Sequence, residues 1–344
     1  MARKQRRARV ERLRSRGTRG SQGSHGSRAA HAVRWRFEDL PEARFLDDVI
    51  AGLSRPQKAL APKYFYDALG SDLFEAICRQ PEYYATRAEL ALTRAHLEDI
   101  ARFSGRGCEL IEFGSGASVK TRLLIRRLRP THYVAIDISE AALRRAAARL
   151  AREFPWLQMT AVVADFSHPI ALPRAQGRRV AYFPGSTIGN LLPQEAEAFL
   201  HMTRGLVGRS GALLVGVDCK KDANVLHAAY NDARGVTAAF NRNLLVRMNA
   251  ELGADFDLRR FRHYAFYNAS RGRVEMHLVS LVRQRVAIGR HRFDFDAGET
   301  IHTENSHKYS VEEFYAFAAD AGFAARKAWL DRRGLFSLHG LRAA

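Results

Sequence analysis

The chain has 344 residues, 47% of them apolar, enough for a sizeable core and for two domains of about 150 residues each. Its formal charge of +19 invites a nucleic-acid reading, but residues 1–36 hold twelve Arg/Lys against one acid, Glu11, and the rest of the chain is only mildly basic. No run of eighteen apolar residues offers a membrane span, and three widely separated cysteines, Cys78, Cys108 and Cys219, suit a reducing cytoplasm better than a disulfide framework or a zinc site.

In chain order, residues 1–36 are Arg/Gly/Ser-rich and nearly free of aromatics, so they read as a disordered basic tail. Such an arm can hold a nucleic acid only non-specifically, through phosphates. From residue 109, five apolar runs alternate with helical stretches: "ELIEFGSG" (109–116), "HYVAIDIS" (132–139), "LQMTAVVADF" (157–166), "RRVAYFPGS" (178–186) and "GALLVGVDC" (211–219). This predicts an α/β fold, a doubly wound parallel sheet covered on both faces. After residue 220 the texture changes to helices and then a long hairpin turning near Ser270–Gly272, an insertion of different character. A capped helix at Ser310–Glu313 and the apolar stretch "LFSLHGL" would return the chain to the sheet.

Two stretches carry chemistry. In "EFGSGASVKT", Gly114 and Gly116 allow a tight turn at a helix start, and Asp137 follows Gly116 by 21 residues, a spacing suited to ribose hydroxyls. Val119 replaces the third glycine of a dinucleotide fingerprint, and Glu112 before the glycines would repel a pyrophosphate. A cationic cofactor such as S-adenosylmethionine fits better, with Asp165 to accept from an adenine amino group and Phe166 to flank the ring. In "IHTENSHKYS" (301–310), an extended backbone puts Glu304 and Ser306 on one face and Asn305 on the other. A carboxylate and a hydroxyl so placed can grip both ends of a small planar polar group. A polar loop that merely caps the next helix is the plainer alternative.

The blocks "PKYFYDALGSDLFEAICRQPEYYATRAE" (62–89), "EFGSGASVKT" (112–121), "FPGSTIGN" (183–190), "YNDARGVTAAFNRNLL" (230–245), "RVEMHLVS" (273–280) and "IHTENSHKYS" resemble the histidine Nα-methyltransferases of ergothioneine biosynthesis. The resemblance covers roughly residues 40–344. It implies a Rossmann-like class I methyltransferase domain (89–219 and 309–344) with a second, substrate-binding α+β domain (37–88 and 220–308). The implied reaction is S-adenosylmethionine-dependent Nα-trimethylation of free L-histidine to hercynine, by a cytoplasmic monomer without a metal.

Carried over residue by residue, Gly114, Lys120, Asp137, Asp165 and Phe166 join Glu112 and Gly116 around the cofactor. Asn190 and Tyr230 hold the α-carboxylate together with Tyr83, or with Tyr84 if the alignment slips by one. Gly185 and Thr187 line the amine end, and Met276, Glu304 and Ser306 surround the imidazole. No proton acceptor is named. Two other readings compete: an N-methyltransferase for another aromatic amino acid such as tryptophan, which the carboxylate Glu304 disfavours, and a nucleic-acid-associated S-adenosylmethionine-binding protein. The second is disfavoured by the mild charge of the folded part and the lack of an Asn/Asp-Pro-Pro-aromatic motif.

Overall fold

The computed structural model describes residues 33–38, 44–116, 119–173 and 177–344. The chain enters through β1 (Arg34–Phe37) and the helices α1 (Phe45–Leu53), α2 (Ala68–Ile77), α3 (Ala85–Ala95) and α4 (Leu97–Ser104). It then alternates through β2 (Glu109–Phe113), α5 (Val119–Leu128), β3 (His132–Asp137), α6 (Glu140–Glu153), β4 (Gln158–Val163), β5 (Arg179–Phe183), α7 (Pro193–Val207) and β6 (Ala212–Asp218). The insertion contributes α8 (Ala223–Tyr230), α9 (Val236–Leu252), the strands β7 (Phe261–Asn268), β8 (Arg273–Ser280), β9 (Gln284–Ile288) and β10 (His291–Phe295), and then β11 (Thr300–His307). Last come α10 (Val311–Asp320), β12 (Phe323–Leu330) and β13 (Phe336–Ala343).

Strands β2 to β6 are the five expected apolar runs. Each is buried almost throughout, which is why none shows polar alternation. They pair in parallel within one eight-stranded sheet of order β1-β4-β3-β2-β5-β6-β13-β12, while β13 runs antiparallel between β6 and β12. The strand order reverses between β2 and β5, and in such sheets ligands bind beyond the carboxyl ends at that switch point. Helices cover both faces. In α6, Leu143, Ala146, Ala147 and Leu150 bury one stripe at helical spacing, and the Ser139 hydroxyl caps the first turn.

The insertion builds a separate three-stranded antiparallel sheet, β11-β8-β7, whose hairpin turns through Gly272 at φ +60°. One apolar cluster joins residues of α1, α2, α8, α9 and this small sheet, and two others flank the large sheet. The hairpin turn, the capped helix α10 and the return of "LFSLHGL" as β13 follow the expectation. Strand β12 and the β9–β10 hairpin were not anticipated.

The tail needs correcting at its end. Arg34–Phe37, expected to be unordered through residue 36 with residue 37 assigned to the second domain, form an edge strand of the large sheet, Trp35 lying opposite Ala161 of β4. The guanidinium of Arg144 sits 4.4 Å over the Trp35 ring, and Val33 and Trp35 pack on the cluster beneath the sheet. The flanking arginines hide this short strand from a reading of composition. The rest of the expected tail, residues 1–32, lies outside the described residues. Cys78, Cys108 and Cys219 are free thiols, and among the described residues no helix is long and apolar enough to cross a membrane.

Candidate active site

The carboxyl ends of β2, β3 and β4 form a polar rim. Gly114 and Gly116 have φ of +69° and +41°, and a Cβ on Gly114 would meet none of the described residues within 4 Å, so the turn leaves a cradle that a ligand can approach. Asp137, at the end of β3, closes this loop: its carboxylate accepts from the Gly116 amide at 2.9 Å and the Ser139 amide at 2.8 Å. Burial pushes the Asp137 carboxyl above its ordinary range, and the backbone donors oppose that push. Asp165 accepts from the Ser167 amide and hydroxyl at 2.9 and 2.5 Å and pairs with Lys63 at 3.3 Å. Burial would raise its pKa, but these donors and the lysine hold it below the usual carboxylate value. Phe166 stands edge-on to Phe113, Phe183 and Phe199, which fixes its ring beside the rim.

Glu112 departs from the expectation. Its side chain is turned into the core, where the hydroxyls of Thr121 and Tyr133 both donate to it. Full burial raises its pKa to about 8, so at neutral pH it is mostly uncharged. Glu112 therefore presents no full charge to repel a phosphate at the loop, although the glycine and carboxylate pattern stands without it. Lys120 pairs with the fully buried Glu89, and the same Glu89 oxygen accepts from the Gly185 amide at 2.9 Å. A Cβ on Gly185 would lie 3.8 Å from Lys120 Nζ and 3.5 Å from Thr187 Oγ1. Gly185 is thus the junction between the rim and a neighbouring cavity.

That cavity gathers most of the residues expected around the substrate. Gly185, Thr187 and Asn190 come from the turn after β5, Tyr230 from the end of α8, Met276 from β8, Glu304 and Ser306 from β11, and Tyr83 from the segment before α3. Tyr84 does not line it. The Tyr84 hydroxyl donates to Asp218 at 2.8 Å and receives Lys221 at 2.7 Å, while Tyr83 sets its ring edge-on to Tyr230 and Phe74. The two alternatives left open by the alignment therefore differ in place.

Strand β11 explains why Glu304 and Ser306 meet. Residues 300–307 are extended, and Glu304 and Ser306 pair with Met276 and Val274 of β8 after a register shift between His302 and Glu304. Asn305 stays out of the cavity lining, as period-two geometry requires. The turn Thr187–Asn190 presses on this strand so closely that a Cβ on Gly189 would be 2.7 Å from the His307 carbonyl oxygen. At the start of that turn Ser186 is left-handed, φ +59°, a conformation that costs a non-glycine residue about 1–2 kcal/mol. Its hydroxyl accepts the Asp218 amide at 2.9 Å, which helps to hold it there.

The electrostatics of the cavity are uneven. The Glu304 carboxylate makes no hydrogen bond within the described chain, and burial lifts its pKa to about 7 against the lowering influence of Lys308. The phenols of Tyr66, Tyr83 and Tyr230 are pushed above their ordinary value, chiefly by burial, so each is a neutral donor at physiological pH. Sequence reasoning missed Tyr66, Phe74, Phe240, Asp218 and Lys308, all of which line the cavity. A signal existed for Lys308 alone, because it continues the period-two series of Glu304 and Ser306. Outside the cavity, Glu275, His277 and His302 cluster on the far face of β8 and β11. The two imidazoles stack at 4.8 Å and 17°, so their in-plane lone pairs run side by side rather than converge on a cation.

The arrangement suits a nucleoside-bearing cofactor at the rim beside a small amino acid with a polar ring. Comparison with known proteins points the same way. The profile of a family described as histidine-specific, S-adenosylmethionine-dependent methyltransferases matches residues 45–343. A histidine N-alpha-methyltransferase of Mycolicibacterium smegmatis is 42% identical over 297 residues, 85% of this chain and 92% of that one. One from Mycobacterium tuberculosis is 42% identical over 308 residues, 88% and 95% of the two chains. Ergothioneine biosynthesis protein 1 of Neurospora crassa is 28% identical over 305 residues, 81% of this chain and 33% of that one.

Proposed function

We propose the following reaction for this chain, which belongs to the family of histidine-specific, S-adenosylmethionine-dependent methyltransferases. It methylates the α-amino nitrogen of free L-histidine, three times in succession, to give hercynine, the first step towards ergothioneine. The observation that carries this reading is Glu304: a buried carboxylate with no hydrogen bond from the described residues, beside the Ser306 hydroxyl, in a cavity where Tyr66, Tyr83 and Tyr230 are neutral and the Lys308 cation is paired with Asp218. An imidazole N–H supplies the missing partner.

S-adenosylmethionine, when bound, supplies an electrophilic methyl group. The residues present fit it: the glycine cradle is open at Gly114, and Asp137 and Asp165 present acceptors at successive strand ends. We assign Asp137 to the ribose hydroxyls, Asp165 and Phe166 to the adenine, and Gly114, Gly116 and Lys120 to the amino-acid end, with Glu112 in a supporting place beneath the loop. In the cavity, Asn190, Tyr230 and Tyr83 take the α-carboxylate, and Met276, Glu304 and Ser306 take the ring. Residues 37–88 and 220–308 would thus carry the substrate and 89–219 with 309–344 the cofactor, apart from Phe37 in β1. The apolar cluster shared by α1, α2, α8, α9 and the small sheet supports that division.

Methyl transfer to an amine needs a free lone pair on nitrogen and an in-line approach at about 3 Å. Gly185 and Thr187, small and uncharged at the junction of rim and cavity, leave room for one, two and three methyl groups. A carboxylate there would grip the ammonium and hold its proton. With Tyr66, Tyr83 and Tyr230 all protonated, the site offers no ionised phenol as base, and we assign loss of the ammonium proton to water. The test is to incubate the protein with labelled S-adenosylmethionine and each amino acid in turn, and to weigh the products. Trimethylated histidine is expected. Label on tryptophan or tyrosine instead, with histidine untouched, would overturn the reading.

A further inference from the structure

We propose that Lys308 is a positioning residue that sets which partner Ser306 can be, and so makes the cavity read a ring with one donor and one acceptor nitrogen. This rests on the reading of Glu304 and Ser306 as the ring's partners. Lys308 is 2% exposed, and its ammonium faces three oxygens: Ser306 Oγ at 2.7 Å, Asp218 Oδ2 at 2.7 Å and the Tyr230 hydroxyl at 3.2 Å. A lysine ammonium has three protons and no lone pair. All three are used, so Ser306 and Tyr230 can only accept from it. Burial works against the charged lysine, but Asp218 and Tyr230 more than offset this and hold its pKa above the ordinary value.

Charge compensation alone does not account for this lysine. Asp218 already has a cation, Lys221 at 2.5 Å, and a second buried cation on the same carboxylate is surplus to a structural ion pair. What the surplus does is local. With one lone pair of Ser306 given to Lys308, the hydroxyl proton is free to turn to the weakly accepting phenol oxygen of Tyr230, which the lysine already engages, or into the cavity. A ring nitrogen with a lone pair is the better acceptor and takes it. Glu304, two residues back on the same face, accepts but does not donate once ionised. The pair therefore presents one donor and one acceptor in fixed order, the complement of a neutral imidazole. An imidazolium has two donors and would also face the Lys308 charge. Tyr230, polarised in the same way, turns its proton outward as well, which suits a carboxylate.

The experiment uses histidine and the two pyrrolylalanines, each carrying a single N–H at one ring-nitrogen position and a C–H at the other. On the wild type, histidine should exceed both in kcat/KM by about tenfold or more, since each analogue leaves one polar partner unmatched. The better analogue identifies the isomer whose N–H meets Glu304. In Lys308→Met, Ser306 is released to accept, and the preference for histidine over the poorer isomer should fall by about tenfold, while cofactor affinity by calorimetry stays unchanged. In Ser306→Ala, which keeps the lysine, the preference over the better isomer should fall towards one. Equal losses on all three substrates in Lys308→Met would make the lysine purely structural and overturn the proposal. So would wild-type preferences in Ser306→Ala, the variant that decides if Lys308→Met does not fold. A wild type inert towards histidine would instead overturn the proposed reaction.

Discussion

The two ends of the site treat buried carboxylates in opposite ways. At the rim, Asp137 is answered by two backbone amides and Asp165 by a serine and a lysine. In the cavity, Glu304 receives no hydrogen bond from the described residues and its pKa climbs to about 7. The acids of the rim are satisfied by the protein itself. The cavity keeps an acceptor that the described residues leave without a partner, facing the space a ligand would enter. On the proposed assignments, the rim positions the cofactor and the cavity discriminates among rings.

Substitutions at the two acids should separate these roles. Asp137→Ala should produce the largest effect, a ten- to hundredfold loss of S-adenosylmethionine affinity, because a charged hydrogen-bond partner contributes about 1.5–3 kcal/mol and the Gly116 and Ser139 amides lose their acceptor too. Calorimetry reads it directly, and unchanged affinity would make Asp137 only a loop brace. Glu304→Ala should lower kcat/KM on histidine by about tenfold, or about 1.4 kcal/mol, with cofactor affinity untouched. It should also narrow the gap between histidine and tryptophan, most clearly when Met276, across the strand pair from Glu304, is cut to Val. A constant histidine-to-tryptophan ratio would reduce Glu304 to a bystander.

Thermal unfolding sharpens the same contrast through pH. A carboxyl raised from its ordinary 4.5 to about 7 holds its proton longer in the folded than in the unfolded chain. Stability from this group is therefore full below about pH 4.5 and lost as pH rises through 7. Glu304→Gln removes that loss. The variant should be more stable than wild type by about 1–3 kcal/mol at pH 8, and nearly equal to it at pH 4.5. Added histidine should shrink the difference at pH 8 by giving the wild-type carboxylate its partner. The smallest effect belongs to the tail. Deleting residues 1–32, which spares β1, should leave turnover within about threefold, under 1 kcal/mol of barrier. Deleting through residue 36 removes an edge strand and should lower the melting temperature as well.

The large sheet was legible because continuous apolar runs separated by helical stretches leave one arrangement that buries them. Glu304 and Ser306 were legible because period-two geometry is strict in an extended segment. The same geometry puts Lys308 on that face, but only the fold brings Asp218 to it. Phe240, on α9, meets Tyr66 and Phe74, just before and in α2, only through the fold, so no local pattern joins the three. Glu112 was misread for the converse reason: its position beside the glycines is visible in sequence, but its turn towards Thr121 and Tyr133 depends on which face of β2 they occupy.

The close approach of Gly189 to the His307 carbonyl has a consequence for what the pocket can ever accept. Backbone meets backbone there, so the distance between the turn after β5, proposed for the amine end, and β11, proposed for the ring, is set like the jaws of a fixed gauge. Exchanging side chains can retune which ring is gripped, but it cannot lengthen the span between the jaws. A homologue of histidine with one more methylene should therefore be refused even by variants that have learned to take a different ring.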